Sequence, residues 1–333
     1  MQDVARQAGV SPSTVSRVLN GAPSSIQISA DTRARVVAAA DRLGYRPNPL
    51  ARGLRGARTM LLGVIVREIT DPFFAGAIEA VSSEAAARGY NVVLGHAHGR
   101  ADEAIVLRSV LETRHVDAIL VLGDMTDQPR LMEDLAGSRV PVVGLWQGTS
   151  PQGLPTISVD NRWGTARAVE HLLELGHRRI AFVGGRPLGD IQERQAGFEE
   201  RIRAAGLALP EAYLQHVPNA PAGGELALAA LLRLRVPPTA IICSTDLLAI
   251  GVLHGAAVRG LGVPDELSVT GFDDLPLSPF TVPSLTTVRM PTREMARRAV
   301  KQAIEVLPPR GEPSVEVLRP ELVVRDSTGP ATG

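Results

Sequence analysis

The chain has 333 residues, 44% of them hydrophobic and 21% charged, with 35 basic against 35 acidic side chains. That is too long for one small domain and too apolar for a disordered chain, so two or three packed domains are expected. No stretch nears the run of about 18 apolar residues that crosses a bilayer, no signal segment opens the chain, and a lone Cys243 excludes an internal disulfide or cysteine metal cluster; a cytoplasmic protein without metal or cofactor is expected.

The zero net charge conceals an asymmetry. Residues 1–58 hold nine arginines and three aspartates, a net of +6, while the remainder holds 26 basic and 32 acidic groups. A basic head on an acidic body is the distribution expected when only the head meets phosphate. Within that head, residues 3–20 read as two short helices joined at Gly9, where the turn needs a positive φ. Ser11 is a good N-cap and Pro12 a good first helical residue. Val15, Val18 and Leu19 form the buried stripe of the second helix, leaving Pro12, Ser13, Ser16, Arg17 and Asn20 on the face offered to a partner. A third helix runs from a Ser29 cap through Thr32 to Leu43, with Val36, Val37, Ala40 and Leu43 inward, and stops at Gly44. Residues 46–58 contain Leu50-Ala-Arg-Gly-Leu-Arg-Gly, a helical spacing broken by glycines that is marginal alone in water.

From residue 59 the chain alternates apolar strands with helical patterns, the mark of parallel α/β units. Strands are expected at 60–66, 90–94, 118–122 and 140–145, with helices near 72–88, 102–114 and 130–136. The rhythm then repeats, with strands at 179–183, 213–216, 240–243 and 268–271 and helices at 161–175, 193–205, 225–234 and 246–259. Two doubly wound lobes bind ligands beyond the carboxyl ends of their strands. The strand-exit residues are Asp71, Phe73, His96, His98, Asp124, Trp146 and Gln147 from the first lobe, and Asp160, Arg186, Arg194, Asp246 and Asp273 from the second. An aromatic with Asp acceptors and Arg forks suits a sugar or polyol. Asp246 and Asp160 also read as helix caps, and His177 as a structural turn residue. No dinucleotide fingerprint, phosphate loop or nucleophile elbow is present, so enzyme chemistry is not expected.

The run DVARQAGVSPSTVSRVLNG, then TRARVVAAADRLGYRPNPLARGLR, resembles the head and hinge of the LacI (lactose-repressor) family of bacterial transcription regulators. DPFF (71–74), SVDNRWGTARAVEHLLELGHRRIAFVGG (158–185), ERQAGF (193–198), STDLLAIG (244–251) and ELSVTGFDD (266–274) extend the likeness to the body. The chain departs from it by a shorter run before Asp3 and a longer stretch from Gly21 to Ser29. The resemblance implies an all-α helix-turn-helix head (1–45) and hinge (46–58), then a two-lobed, periplasmic-binding-protein-like core of two doubly wound parallel sheets (59–327). Lobe one would hold about 59–158 and 288–318, lobe two 159–287 and 319–327, with a tail at 328–333. Crossings between lobes are placed near 158, 287 and 318.

The implied DNA contacts are Ser11, Pro12, Ser13, Thr14, Ser16, Arg17 and Asn20, with Tyr45, Asn48, Ala51, Leu54 and Arg55 around the hinge, Leu54 acting as a minor-groove wedge. Arg194 and Asp246 match positions that grip ligand hydroxyls; Asp71, Phe73, Trp146, Asp160 and Asp273 complete the expected ligand set. A homodimer on pseudopalindromic operator DNA, controlled by a sugar-like effector and without a membrane partner, is the resulting expectation. A solute-binding protein without a DNA role and a sugar-modifying enzyme are the competing ones.

Overall fold

The computed structural model describes residues 1–20, 28–45, 58–96, 109, 116–125, 127–145, 154–186, 189–305 and 314–331. The chain divides into two compact units, Met1–Met60 and Leu61–Gly333. In the first, α1 (Gln2–Ala8), α2 (Pro12–Asn20) and α3 (Ala30–Arg42) enclose a core of Val4, Ala5, Ala8, Val15, Val18, Val36, Ala39 and Ala40. Gly9 ends α1 at φ 64°, a left-handed conformation in which a side chain is strained. The hydroxyls of Ser11 and Ser29 accept from the Thr14 and Thr32 amides, both at 3.2 Å, so each serine caps the helix that follows. One expectation fails in α3 and just beyond it: Val37 and Leu43 are 42% and 46% exposed. The inward stripe is Val36, Ala39 and Ala40, and residue 37 lies about 100° round the helix from 36.

The second unit contains, among the described residues, β1 (Leu61–Val66), β2 (Asn91–His96), β3 (Ala118–Leu122), β4 (Val142–Leu145), β5 (Thr156–Val159), β6 (Ile180–Gly184), β7 (Leu214–His216), β8 (Ala240–Cys243), β9 (Ser268–Asp273), β10 (Thr286–Arg289), β11 (Val315–Leu318) and β12 (Glu321–Val323). Its helices are α4 (Pro72–Ala86), α5 (Pro129–Ala136), α6 (Asn161–Glu174), α7 (Gly189–Ala204), α8 (Pro221–Leu232), α9 (Asp246–Val258) and α10 (Thr292–Glu305). One sheet runs β11-β5-β4-β3-β1-β2 and the other β12-β10-β9-β8-β6-β7. Their central strands are apolar and buried on both faces, as parallel sheets covered by helices require. All pairings are parallel except β10 with β12, which is antiparallel at Thr287–Val323.

The expected helix at 102–114 lies, apart from Ser109, outside the described residues. β10 belongs to the second sheet, so the chain returns to the first after Arg289. The end of the chain is also more than a tail. Val269 N–H donates to Ser327 O and Ala331 N–H to Leu175 O, each at 2.8 Å. His177 fixes this segment from inside, with Nδ1 2.9 Å from Thr239 Oγ1 and Nε2 3.0 Å from Gly329 O. Burial holds the His177 pKa below its ordinary value, so the ring works as a neutral bridge.

Helices α8 and α9 approach backbone to backbone. A Cβ on Gly224 would meet the Leu248 carbonyl, and one on Gly251 the Pro221 carbonyl. Neither obstacle is a side chain that can swing aside. Gly251→Ala is therefore expected to cost at least about 1–3 kcal/mol, seen as a midpoint several degrees lower in thermal unfolding; an unchanged midpoint would contradict this packing.

Candidate functional site

The two sheets share a topological feature that places the site. In the first, the chain leaves β1 to β2 on one side and to β3 on the other; in the second, β6 has β7 and β8 as its neighbours in the same way. Side chains just past the carboxyl ends at such a switch point face open space instead of a covering loop. Those residues are Arg67 after β1 and Asp124 after β3, then Arg186 after β6 and Thr245 after β8. All four line a cavity of about 580 Å³ between the lobes. The wall is completed by Asp71 and Phe73 at the start of α4, Asn161, Asp190 and Arg194 on α6 and α7, Asn219 in the loop after β7, and Asp273 at the end of β9.

Arg194 is the organising side chain, only 3% exposed. Its Nε donates to Asn161 Oδ1 at 3.0 Å, and Nη1 donates to the Ser244 carbonyl at 2.5 Å and Asp273 Oδ1 at 3.4 Å. Nη2 lies 3.6 Å from Asp190 Oδ2, and the guanidinium sits 3.7 Å over the Phe272 ring. Burial pushes the carboxyls of Asp273 and Asp190 up, and the Arg194 charge opposes both shifts. Asp273 takes a φ of 115°, a strained value for a non-glycine residue, that turns it toward Arg194.

The lobes are joined by polar contacts across the cavity. Asp71 caps α4 by accepting from the Phe73 amide at 2.9 Å, and its other oxygen accepts from Asn219 Nδ2 at 3.1 Å. Asn219 Oδ1 in turn accepts from Thr245 Oγ1 at 2.6 Å. Arg67 forks onto Asp127 at 2.9 and 3.0 Å and also donates to the Asp124 carbonyl. Arg186 from the second lobe reaches the same Asp127 at 3.7 Å. Burial pulls the Arg67 pKa down, but its bonds and charge contact with Asp127 more than reverse that.

Of the expected ligand residues, the structure brings Asp71, Phe73, Arg194 and Asp273 together around the cavity, along with Asp124 and Arg186. Asp246 is elsewhere. It is fully buried, and its carboxylate accepts from Ser278 Oγ and Thr287 Oγ1 at 2.5 Å and from the Leu275 amide at 2.8 Å. The cap of α9 is Thr245, whose hydroxyl accepts from the Leu248 amide at 3.4 Å. One residue along a helix turns the side chain by about 100°, so Thr245 faces the cavity and Asp246 the core. Asp160 is also not part of the wall; its carboxylate caps α6 by accepting from the Trp163 amide at 2.9 Å. Trp146, Gln147 and His98 lie outside the described residues, and His96 stands 4.0 Å from Glu68.

Sequence reasoning missed Arg67, Asn161, Asp190, Asn219 and Thr245. Arg67 and Thr245 each follow a strand, a signal available from the strand boundaries; Asp190 needed the α7 start to be placed at Gly189. Among the described residues no group of three or more His, Cys, Asp or Glu side chains can hold a metal. Cys243 is buried, and burial pushes its thiol up, so it is no nucleophile.

The first unit presents a second candidate surface. On α2, Pro12 and Ser13 are exposed and Thr14, Ser16 and Arg17 half-buried; the Asn20 side chain is outside the described residues. Arg6 and Arg35 pair with Asp3 at 3.5 Å and Asp31 at 3.3 Å, whereas Arg17 has no acidic partner among the described residues. Tyr45, expected at DNA, packs against the core of the three helices. Asn48, Ala51, Leu54 and Arg55 lie outside the described residues.

Comparison with known proteins follows the same division. Residues 1–48 match the family described as bacterial regulatory proteins, lacI family, and residues 169–328 the periplasmic binding protein-like domain. Catabolite control protein A of Priestia megaterium is 34% identical over 93% of this chain and 96% of its own length. Among solved structures, the lac repressor dimer bound to operator and the anti-inducer ONPF is similar with a TM-score of 0.87 and 27% identity, covering 98% of each chain. The transcriptional regulator CelR–cellobiose complex is similar with a TM-score of 0.71 and 30% identity, covering 98% of each chain. No helix among the described residues is long and apolar enough to cross a membrane.

Proposed function

The chain belongs to the lacI family of bacterial regulatory proteins, and from that premise we propose that it is a repressor whose hold on operator DNA is set by a small sugar-like effector bound between its two lobes. The observation that carries the proposal is the Arg194 cluster. A buried guanidinium, oriented by Asn161, Asp190 and Asp273 at the edge of a 580 Å³ cavity, supplies the paired donors and acceptors that vicinal hydroxyls require. The relative bound to cellobiose and the lac repressor bound to ONPF and operator support both halves of the reading.

An effector that prefers one arrangement of the lobes shifts their equilibrium by its differential affinity. Assembly as a homodimer accounts for the exposed apolar loop with Leu277, Phe280 and Val282 at 59%, 80% and 90%, since such side chains in one place mark an interaction surface. Two copies place two α2 helices on a pseudopalindromic site, and Arg17 is assigned to a guanine edge.

Gel-shift titration of the full chain with upstream DNA, with and without sugars, tests the proposal. No sequence-specific complex under any condition would refute it. Arg17→Ala is expected to weaken the operator complex about tenfold or more while the stabilisation by effector stays the same, since a fork onto guanine is worth about 1–3 kcal/mol.

A further inference from the structure

Resting on the reading of the cavity as an effector site, we infer that the effector is a polyhydroxylated molecule bearing a protonated amine, an amino sugar in chemical class, and that Asp71 receives its ammonium group. The three arginines of the wall are already engaged by acids: Arg67 by Asp127 at 2.9 Å, Arg186 by Asp127 at 3.7 Å, and Arg194 by Asp273 at 3.4 Å and Asp190 at 3.6 Å. Arg67 and Arg194 are held in place by these acids and neither stands ready to fork onto a phosphate; Arg186 is the most exposed of the three. The wall as a whole carries five carboxylates (Glu68, Asp71, Asp124, Asp190 and Asp273) against those three arginines. Burial disfavours the ionised form of Asp71, Asp190 and Asp273, so an anionic ligand beside them adds to that cost and a cationic one relieves it.

Asp71 differs from Asp190 and Asp273 in its partners. Its oxygens accept only from the Phe73 amide and the Asn219 side-chain amide, both neutral, and it has no cation within ion-pair distance among the described residues. An ionised carboxylate has about four acceptor positions, so two remain for a ligand. Burial raises the Asp71 pKa, and the bonds from Phe73 and Asn219 together with the more distant Arg194 charge do not fully offset it. A ligand ammonium supplies that compensation through charge-assisted bonds, and its hydroxyls meet the Arg194 side.

Thermal unfolding of the full chain against matched sugar trios tests the inference. Each trio holds a neutral sugar, its amino form and its phosphate, across hexoses and disaccharides. A bound effector raises the midpoint by mass action. The amino form is expected to half-saturate at about tenfold lower concentration than the neutral form, the equivalent of one charge-assisted hydrogen bond, and the phosphate to give no shift. A stronger response to the neutral or phosphorylated member overturns the amine assignment while leaving the effector site standing. No response to any member overturns both. Asp71→Asn keeps the cap of α4, since Asn caps as well as Asp. This variant also gives up the bond from Asn219, a loss that falls on both forms alike, but the roughly tenfold preference for the amino over the neutral form is expected to vanish; an amine preference that survives Asp71→Asn removes Asp71 from the role.

Discussion

Asp246→Ala is expected to lower the stability of the second unit by about 3–5 kcal/mol, the loss of a buried acceptor shared by three donors. The Ser278 hydroxyl, the Thr287 hydroxyl and the Leu275 amide all end on its carboxylate, and none has water to turn to at a site with no exposure. The three donors come from the loop after β9 and from β10, so one side chain ties the start of α9 to the strand that precedes the return to the first lobe. Gly271 makes room for it, since a Cβ there would meet Asp246 Oδ1.

The pH dependence separates this reading from a ligand-contact role. Burial pushes the Asp246 carboxyl up from 3.8 to about 6, against the hydrogen bonds from Ser278, Thr287 and Leu275. A carboxyl raised on folding stabilises fully below its unfolded pKa, and that contribution is lost as pH climbs through the folded value. Asp246→Asn cannot titrate. The stability advantage of wild type over Asp246→Asn is therefore expected to shrink by about 2 kcal/mol between pH 4 and pH 7 in denaturant unfolding. An advantage that grows with pH would mean that the ionised form is the stabilising one.

Arg194→Met is expected to abolish effector binding and also to destabilise the fold by about 3–5 kcal/mol, because it strands buried carboxylates without their cation. Asp273 and Asp190 both lie within 4.0 Å of the guanidinium. The two effects can be separated. Arg194→Met with Asp273→Asn removes one stranded charge and is expected to recover part of the stability but none of the effector response. Calorimetric unfolding of the single and double variants reads this; an additive loss in the double variant would show that the pair is not coupled.

Much of this site was legible in the sequence, and the shortfalls have physical causes. The central strands announce themselves because parallel strands covered on both faces must be apolar throughout, as in Ala118–Leu122 and Ala240–Cys243. β11 and β12, at sheet edges, are half-polar and three or four residues long, too short and too mixed to stand out from loop. Asp246 reads from the sequence as both a ligand residue and a helix cap, whereas the structure gives the cap to Thr245 and buries Asp246. Only the register of α9 against Thr287 and Ser278 distinguishes the cap facing the cavity from the acid facing the core. Asn219 gave no signal at all, since a lone Asn in a proline-rich loop has the composition of any turn.

By itself the sequence determined the helix-turn-helix, through Gly9, the Ser11 cap and the Val15–Val18 stripe, and the two-lobed α/β order, through the alternation of apolar strands and amphipathic helices. These are local properties, fixed by conformational preference and periodicity within a few residues. Which side chains meet was decided only by the tertiary structure. Arg194 finds Asp273 79 residues away within the second lobe, where a helix packs beside a strand end, and Asp71 finds Asn219 across 148 residues, because facing switch points bring the two lobes to one cavity. Sequence spacing carries no record of that distance; the packing of the sheets does.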